Sequence, residues 1–256
     1  MKRFFKILKI MGIVLALISI TLLGIKWGLD KDLPTGTTGG QAEKLAQKML
    51  EAIEHKNWVQ TGAIAWNYSG RHDLLWDKKR HLARVKWDDK EAFIDCASGK
   101  GISFVEGARI IDVSENDKLC SKAHFIWAND SYWLNPVSKI YDEGVTRAYV
   151  EHPEGDALLV TYASGGFTPG DSYLWILDEN GLPKEWQMWV DILPIDGMSS
   201  TWEEWTRSAT GVMVSTQHSL GPINLEITNL KMGKELSDLT KGQDVFGLLL
   251  QEIEGH

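Results

Sequence analysis

The best polar cluster in the sequence is formed by His72, Asp73 and Asp77, which share one short apolar segment. Imidazole and carboxylate groups can hold a metal ion or transfer protons. In an extended strand, however, His72 and Asp77 point to opposite faces, because successive side chains alternate. The sequence also has no Cys-x-x-Cys and no His-Glu-x-x-His motif. We therefore predict no metal site and no cofactor, and we interpret His72 as a structural histidine.

Other arrangements that are typical of catalysis are incomplete. Ser164 lacks the glycine two positions earlier that a nucleophile elbow requires. The Ser-Gly-Lys-Gly run at 98–101 lacks the glycine spacing and the terminal hydroxyl of a phosphate loop. The acidic pairs at 88–89 and 203–204 are sequence neighbours in a turn or a strand, which is a weak arrangement for the acids of a glycosidase. The sequence predicts no catalytic residue and leaves enzymatic activity uncertain.

Tryptophan is the outlier of the composition, with twelve residues, all but Trp27 lying beyond residue 30. The simplest interpretation is that they fill the core of a wide sheet. Each buried indole N–H needs a partner, however, and a dry core supplies few. Lining a ligand cavity would leave some of these groups wet. We predict that such a cavity is lined by seven aromatic residues: Trp66, Trp76, Trp87, Trp133, Tyr173, Trp175 and Trp189.

The elements that would position these residues are mostly strands. Residues 41–56 have apolar side chains at helical spacing and predict an amphipathic helix. Beyond residue 58 the hydrophobic period becomes two, which predicts strands, and residues 114–141 return to helical spacing. Short polar or glycine-containing links predict antiparallel hairpins, since parallel strands need crossovers of about a dozen residues or more; they lie at 88–90, 152–155, 178–181 and 209–211.

The N-terminus predicts a membrane anchor. Four basic residues among the first nine precede an uncharged run at 10–25. Residues 1–29 form a basic n-region and a transmembrane signal anchor in this interpretation, with a helix from Ile7 to Leu29 about 34 Å long. A cleaved signal peptide is the alternative, but Leu22-Leu23-Gly24-Ile25 is bulky where a small-residue cleavage site would follow. The positive-inside rule then places the body in the periplasm, held by a single pass through the inner membrane.

The remainder divides into a flexible tether at 30–40, rich in glycine and threonine, and a β-rich extracytoplasmic domain at 41–256. Residues 1–31 hold six of the 27 basic and one of the 35 acidic side chains. The rest therefore carries 21 positive and 34 negative groups, a net charge of −13. Such a surface repels nucleic acid, which we exclude as a partner.

Two cysteines, Cys96 and Cys120, are the whole complement of thiols. In an oxidising compartment they could pair as a disulfide. The alternative is two unpaired buried thiols, and the sequence does not set the distance between them.

The layout of an N-terminal helix, a long meander and a central helical insertion resembles the outer-membrane lipoprotein carrier (lipoprotein localisation factor) fold over about residues 41–230. The phrases at 72–77, 132–142 and 168–173 resemble uncharacterised bacterial envelope proteins of that broad group. The resemblance implies an α+β, mostly antiparallel fold: a strongly curved, half-barrel-like meander of about ten strands. In that family, helices close the concave side over an apolar cavity for acyl chains.

We therefore expect a membrane-anchored extracytoplasmic module that binds a lipid or another apolar ligand without catalysis. One alternative is a structural or assembly partner of an envelope membrane complex. The other is a glycan-directed hydrolase that uses tryptophan platforms and acidic residues.

Overall fold

A computed structural model describes residues 28–164 and 170–254 of the chain. The apolar run predicted as the membrane anchor lies in residues 1–27 and so falls outside the described residues. Within the described ranges, no helix combines the length and the apolar character needed to cross a membrane.

The described residues form an α+β structure with fourteen strands in two open, antiparallel sheets. The strands are β1 (Ala63–Tyr68), β2 (His72–Asp77), β3 (Leu82–Trp87), β4 (Lys90–Asp95), β5 (Gly101–Val105), β6 (Ala108–Arg109), β7 (Val145–His152), β8 (Gly155–Tyr162), β9 (Ser172–Leu177), β10 (Pro183–Trp189), β11 (Met198–Thr201), β12 (Glu203–Arg207), β13 (Met213–Leu220) and β14 (Ile223–Gly233). The larger sheet has nine strands in the order β12-β13-β14-β1-β2-β3-β4-β5-β6, and the smaller has five in the order β11-β10-β9-β8-β7.

The two sheets are joined by one bent strand. β11 pairs with β10 in the smaller sheet, and β12 pairs with β13 in the larger one. Only Trp202 separates β11 from β12, and its backbone N–H donates to the carbonyl of Lys184 at 2.7 Å. The chain therefore leaves one sheet and joins the other at Trp202, which is buried.

Five α-helices accompany the sheets in the described residues: α1 (Gly40–Ala52), α2 (His55–Gln60), α3 (Val113–Leu134), α4 (Ser237–Thr240) and α5 (Gly247–Glu254). The helix predicted at 41–56 is divided in two, because Glu54 adopts a left-handed conformation with φ of 57°. The predicted central insertion is confirmed as α3 followed by a 3-10 turn, Pro136–Lys139. Asp112 caps α3 by accepting a hydrogen bond from the Glu115 N–H at 2.9 Å.

All four predicted hairpins are present, as β3–β4, β7–β8, β9–β10 and β12–β13. The single meander of about ten strands is replaced by fourteen shorter strands in two sheets. Two of the additional strands arise because the bend at Trp202 divides one run into two strands, and because the run beyond residue 100 contains the short extra strand β6.

Two clusters of buried residues lie between helices and sheets. α3 packs on the nine-stranded sheet, where Trp66, Trp87 and Trp127 share a core with both cysteines. α1 and the residues after α3 pack on one face of the five-stranded sheet, around Trp175 and Trp186. The opposite face of that sheet carries a third cluster, formed by Val150, Ala157, Leu159, Leu174 and Ile176. β9 is accordingly buried along its whole length.

Residues 31–37, which we name the strap, run across this third cluster. At one end the backbone of Lys31 bonds to Asp196, and its carbonyl accepts from the Trp189 indole N–H at 2.7 Å. At the other end Thr37 pairs with Tyr149 on β7 through two backbone hydrogen bonds of 2.8 Å. Crossing from β10 to β7 covers three strand spacings, about 14 Å, which five or six extended residues can span. The segment predicted as a flexible tether is thus bonded to the body at both ends.

α3 is also attached to the nine-stranded sheet by a polar contact. His72 on β2 lies 2.7 Å from the carboxylate of Asp130 on α3, and Tyr68 stacks on the His72 ring. The Asp130 side chain is buried, and Asn129 donates to its other oxygen at 3.0 Å. Burial raises the pKa of Asp130 above its usual value, while the hydrogen bond from His72 acts in the opposite direction. His72 is therefore a structural partner of a buried carboxylate.

We expect the strap to stabilise the body. Each large aliphatic side chain returned to water costs about 1.5–3 kcal/mol, so a body beginning at Gln41 should lose at least about 2 kcal/mol of unfolding free energy relative to one beginning at Asp30. Gly36→Ala tests the same contact in the full chain, because its Cβ would lie 2.7 Å from the Ala148 Cβ. Gly40→Ala is the control, since its Cβ meets nothing within 4 Å. Urea unfolding measures both, and equal stabilities would contradict this assignment.

His72→Ala should destabilise the protein by about 2–3 kcal/mol at neutral pH, somewhat below the cost of breaking a fully buried pair. Without His72 the folded-state pKa of Asp130 rises further above the unfolded value, so stability is lost as pH rises above about 4. The deficit relative to wild type should therefore be larger at pH 8 than at pH 4. Denaturant titrations at both pH values measure it, with His152→Ala as a surface control. A deficit independent of pH would exclude the carboxylate as its cause.

Candidate functional site

A cleft of about 850 Å³ opens between the two sheets, beside the C-terminal half of α3. Helix residues Trp127 and Tyr132 form one wall, and Tyr162 and Tyr173 of the five-stranded sheet form another. His81 and Ala97 contribute from two loops that end strands of the nine-stranded sheet. The walls of the cleft therefore come from both sheets and from α3.

Three tyrosines form the inner wall. The ring centroid of Tyr132 lies 5.5 Å from that of Tyr173 and 6.2 Å from that of Tyr162. Tyr173 donates to Asp171 at 3.3 Å. The hydroxyls of Tyr132 and Tyr162 are buried, and neither meets hydrogen-bonding geometry with another described group. The phenols interact with one another at imperfect geometry, so their hydroxyls can also hydrogen-bond to a ligand or to water.

The tyrosines are neutral at physiological pH. Burial raises the pKa of Tyr162 to about 12. It also raises the pKa of Tyr132 and Tyr173 well above the usual value, with neighbouring phenols and Asp171 adding to the effect. These phenols are therefore hydrogen-bonding groups, not bases or nucleophiles.

Two histidines flank Trp127. His124 stacks on its indole at 5.7 Å, and the Nε2 of His124 donates to the carbonyl of Cys96 at 3.0 Å. His81 meets the Trp127 ring edge-on at 5.3 Å and holds a left-handed backbone conformation with φ of 58°. Burial lowers the pKa of His81, which keeps its ring uncharged near neutral pH. The histidines thus extend the aromatic wall.

Cys96 lines the cleft and Cys120 lies one layer behind, and both are free and buried. Burial raises the pKa of the Cys120 thiol to about 11 and that of Cys96 still further. Because the thiolate is the reactive form, neither cysteine has the properties of a nucleophile. The alternative of two unpaired thiols is the one the structure contains.

The rim of the cleft is polar and charged. Lys139 lies 3.4 Å from Asp142, with both side chains about half exposed, at 52% and 54%. Glu143 and Ser164 complete this edge. Among the described residues, no group of three histidine, cysteine or acidic side chains is arranged to hold a metal ion.

The aromatic residues predicted to line a cavity are distributed over several environments. Tyr173 lines the cleft, and Trp76 lies one layer behind it, 5.5 Å from the Trp127 ring. The others pack elsewhere: Trp66 and Trp87 under α3, Trp133 and Trp175 between α3 and the five-stranded sheet, and Trp189 beneath the strap.

Sequence reasoning missed His81, His124, Tyr132 and Tyr162 as cleft residues. Tyr132 belongs to the phrase at 132–142 that the resemblance singled out, so a signal was present for it. The two histidines come from a turn and from a helix far apart in sequence, and no local pattern links them.

Comparisons with known proteins add little to this geometry. No protein-family model matches the chain, and no curated protein matches it. Among solved structures, a DUF1329 family protein from Desulfovibrio piger is similar, with 10% sequence identity and a TM-score of 0.40. The likeness covers 74% of this chain and 92% of that one.

Proposed function

We propose that this protein is a membrane-anchored, extracytoplasmic binding module that holds a lipid or another amphipathic apolar ligand in the cleft. The observation that carries the proposal is the cleft itself, about 850 Å³ with an aromatic wall and a charged rim. Pockets for small molecules are typically about 300–1,000 Å³ and lined mainly by apolar side chains with a few placed polar groups.

The arrangement of the lining suits a ligand with two ends. Trp127, Tyr132 and Tyr173 offer ring faces and edges to an apolar chain, of which each buried CH₂ contributes about 0.8 kcal/mol. Lys139 at the rim carries a positive charge for an anionic or zwitterionic head group. Asp142 and Glu143 beside it disfavour a head group with several negative charges.

The protonation states support binding rather than catalysis. General acid–base chemistry needs a group whose pKa lies near the working pH, and nucleophilic chemistry needs an activated nucleophile. The phenols and thiols of the cleft are shifted away from reactivity by burial, and the His124 ring donates to a carbonyl. Each of these groups can still pack against a ligand or hydrogen-bond to it.

The location of the module is part of the proposal. The basic N-terminus and the apolar run at 10–25 favour an inner-membrane anchor, with the body in the periplasm. A fixed module at that membrane would receive or present its ligand there rather than carry it between membranes.

A matched pair of substitutions tests the cleft. Ala97 and Ala108 are both exposed, but only Ala97 lines the cleft. In the body beginning at Asp30, Ala97→Trp should fill the cleft and weaken binding of a fluorescent fatty acid at least about tenfold, or roughly 1.4 kcal/mol. Ala108→Trp should leave binding unchanged.

Mass spectrometry of a solvent extract of the unsubstituted protein should show a co-purified lipid. Absence of both lipid and probe binding would contradict the proposed function, and equal binding by the two variants would exclude the cleft.

A further inference from the structure

Two exposed apolar side chains lie where the cleft opens, and two more lie near the start of the strap. Ile192 is 64% exposed and Phe125 is 50% exposed, and both line the cleft. Leu29 and Leu33, 53% and 47% exposed, flank the beginning of the strap. The loop at 190–197, which we name the mouth loop, carries Ile192 and bonds to that same part of the strap. Apolar side chains exposed together on a surface mark a site of contact with another apolar body.

The mouth loop is also where the N-terminal segment joins the body. The Asp196 N–H donates to the Asp30 carboxylate at 3.0 Å, and the Lys31 N–H donates to the Asp196 carbonyl at 3.0 Å. A Cβ on Gly197 would meet the Lys31 side chain at 2.7 Å, so the two segments are in contact. The N-terminal segment is therefore hydrogen-bonded to the mouth loop at Asp30 and Lys31.

This attachment shortens the distance that the body can move away from the predicted anchor, compared with a flexible tether. A flexible segment of about a dozen residues would reach about 20 Å by random-coil scaling. The predicted anchor ends at Leu29, and the first bond to the body involves Asp30. At about 3.5 Å per residue, one or two residues then separate the membrane from the mouth loop.

We infer that the mouth loop lies against the outer surface of the bilayer, so that the cleft opens onto the lipid and takes its ligand from there. The inference rests on the proposed function, because it uses the N-terminal anchor. It names the lipid bilayer as the occupant of the exposed apolar side chains at the mouth of the cleft, Phe125 and Ile192.

The negative charge near the mouth loop determines which type of lipid surface it can contact. Asp191 and Asp196 flank the apolar run Ile192-Leu193-Pro194-Ile195, and Asp30 and Asp32 lie at the facing start of the strap, just before and within it. Four carboxylates repel an anionic surface, so contact depends on the apolar side chains entering a zwitterionic interface. Such contact is weakly sensitive to salt, because it is not an attraction between opposite charges.

The experiment uses the full chain in nanodiscs of phosphatidylcholine and phosphatidylethanolamine, with an environment-sensitive fluorophore on one introduced cysteine. Ile192→Cys probes the mouth loop. Asn180→Cys is the control, since Asn180 is exposed in the turn at the other end of β10, seven residues or about 23 Å away. The unsubstituted protein, whose two thiols are buried, measures background labelling.

With spin-labelled lipid, the fluorophore at 192 should lose about half of its emission or more, because interfacial side chains enter roughly 5–10 Å into the bilayer. The fluorophore at 180 should keep its emission, and 0.5 M salt should change neither result. Carbonate extraction first shows whether the protein is anchored. If it resists extraction, equal quenching at both positions, or quenching at neither, would contradict the placement of the mouth loop against the bilayer and leave the anchored module intact. Release of the protein by carbonate would instead overturn the anchor, and with it the proposed function.

Discussion

The shape of the molecule depends on the packing around Trp202. Its ring lies 4.9 Å from that of Trp186, 5.2 Å from Trp175 and 4.3 Å from His218, while Trp133 stacks on it from α3 at 6.2 Å. Burial lowers the pKa of His218 to about 4, so the cluster contains no charge at neutral pH. The bend of the strand at 198–207, the angle between the sheets and the end of α3 are all fixed at this point. The cleft lies between the two sheets that this strand joins, and its walls come from parts of the chain that are far apart in sequence.

Much of the fold follows from local sequence patterns. Where those patterns gave no correct prediction, a physical reason can be named. Hairpins such as β7–β8 were predictable because their short links permit no other connection. The strap was not, because Pro34, Gly36 and the surrounding threonines have the composition of a free linker. Gly36 serves close contact instead, since a side chain there would meet the Tyr149 carbonyl at 2.8 Å. Composition cannot distinguish a glycine that loosens a segment from one that lets it pack tightly.

The candidate site was less predictable than the fold. Strand alternation correctly placed Tyr173 and Trp175 on one face, but only the first of them reaches the cleft, because the second lies deeper under the Trp202 cluster. The polar cluster of His72 with its neighbouring aspartates was sought within one strand. Its buried partner is Asp130, 58 positions away on α3. Local patterns could not give either arrangement, since the relative placement of α3 and the two sheets is set by tertiary contacts.

The aromatic interior also restricts how the cleft can vary. Buried indole N–H groups without conventional acceptors occur throughout the described core, including those of Trp76, Trp127, Trp186 and Trp202. Several of these rings meet edge to face, as Trp76 and Trp127 do at 74°, a geometry in which a neighbouring ring can receive the N–H weakly. Trp127 therefore supports the packing of α3 and the cleft wall at once, so replacing it would change both. Selectivity for one ligand over another can change with little effect on the fold at the rim, where Ala97, Lys139, Asp142, Glu143 and Ser164 lie.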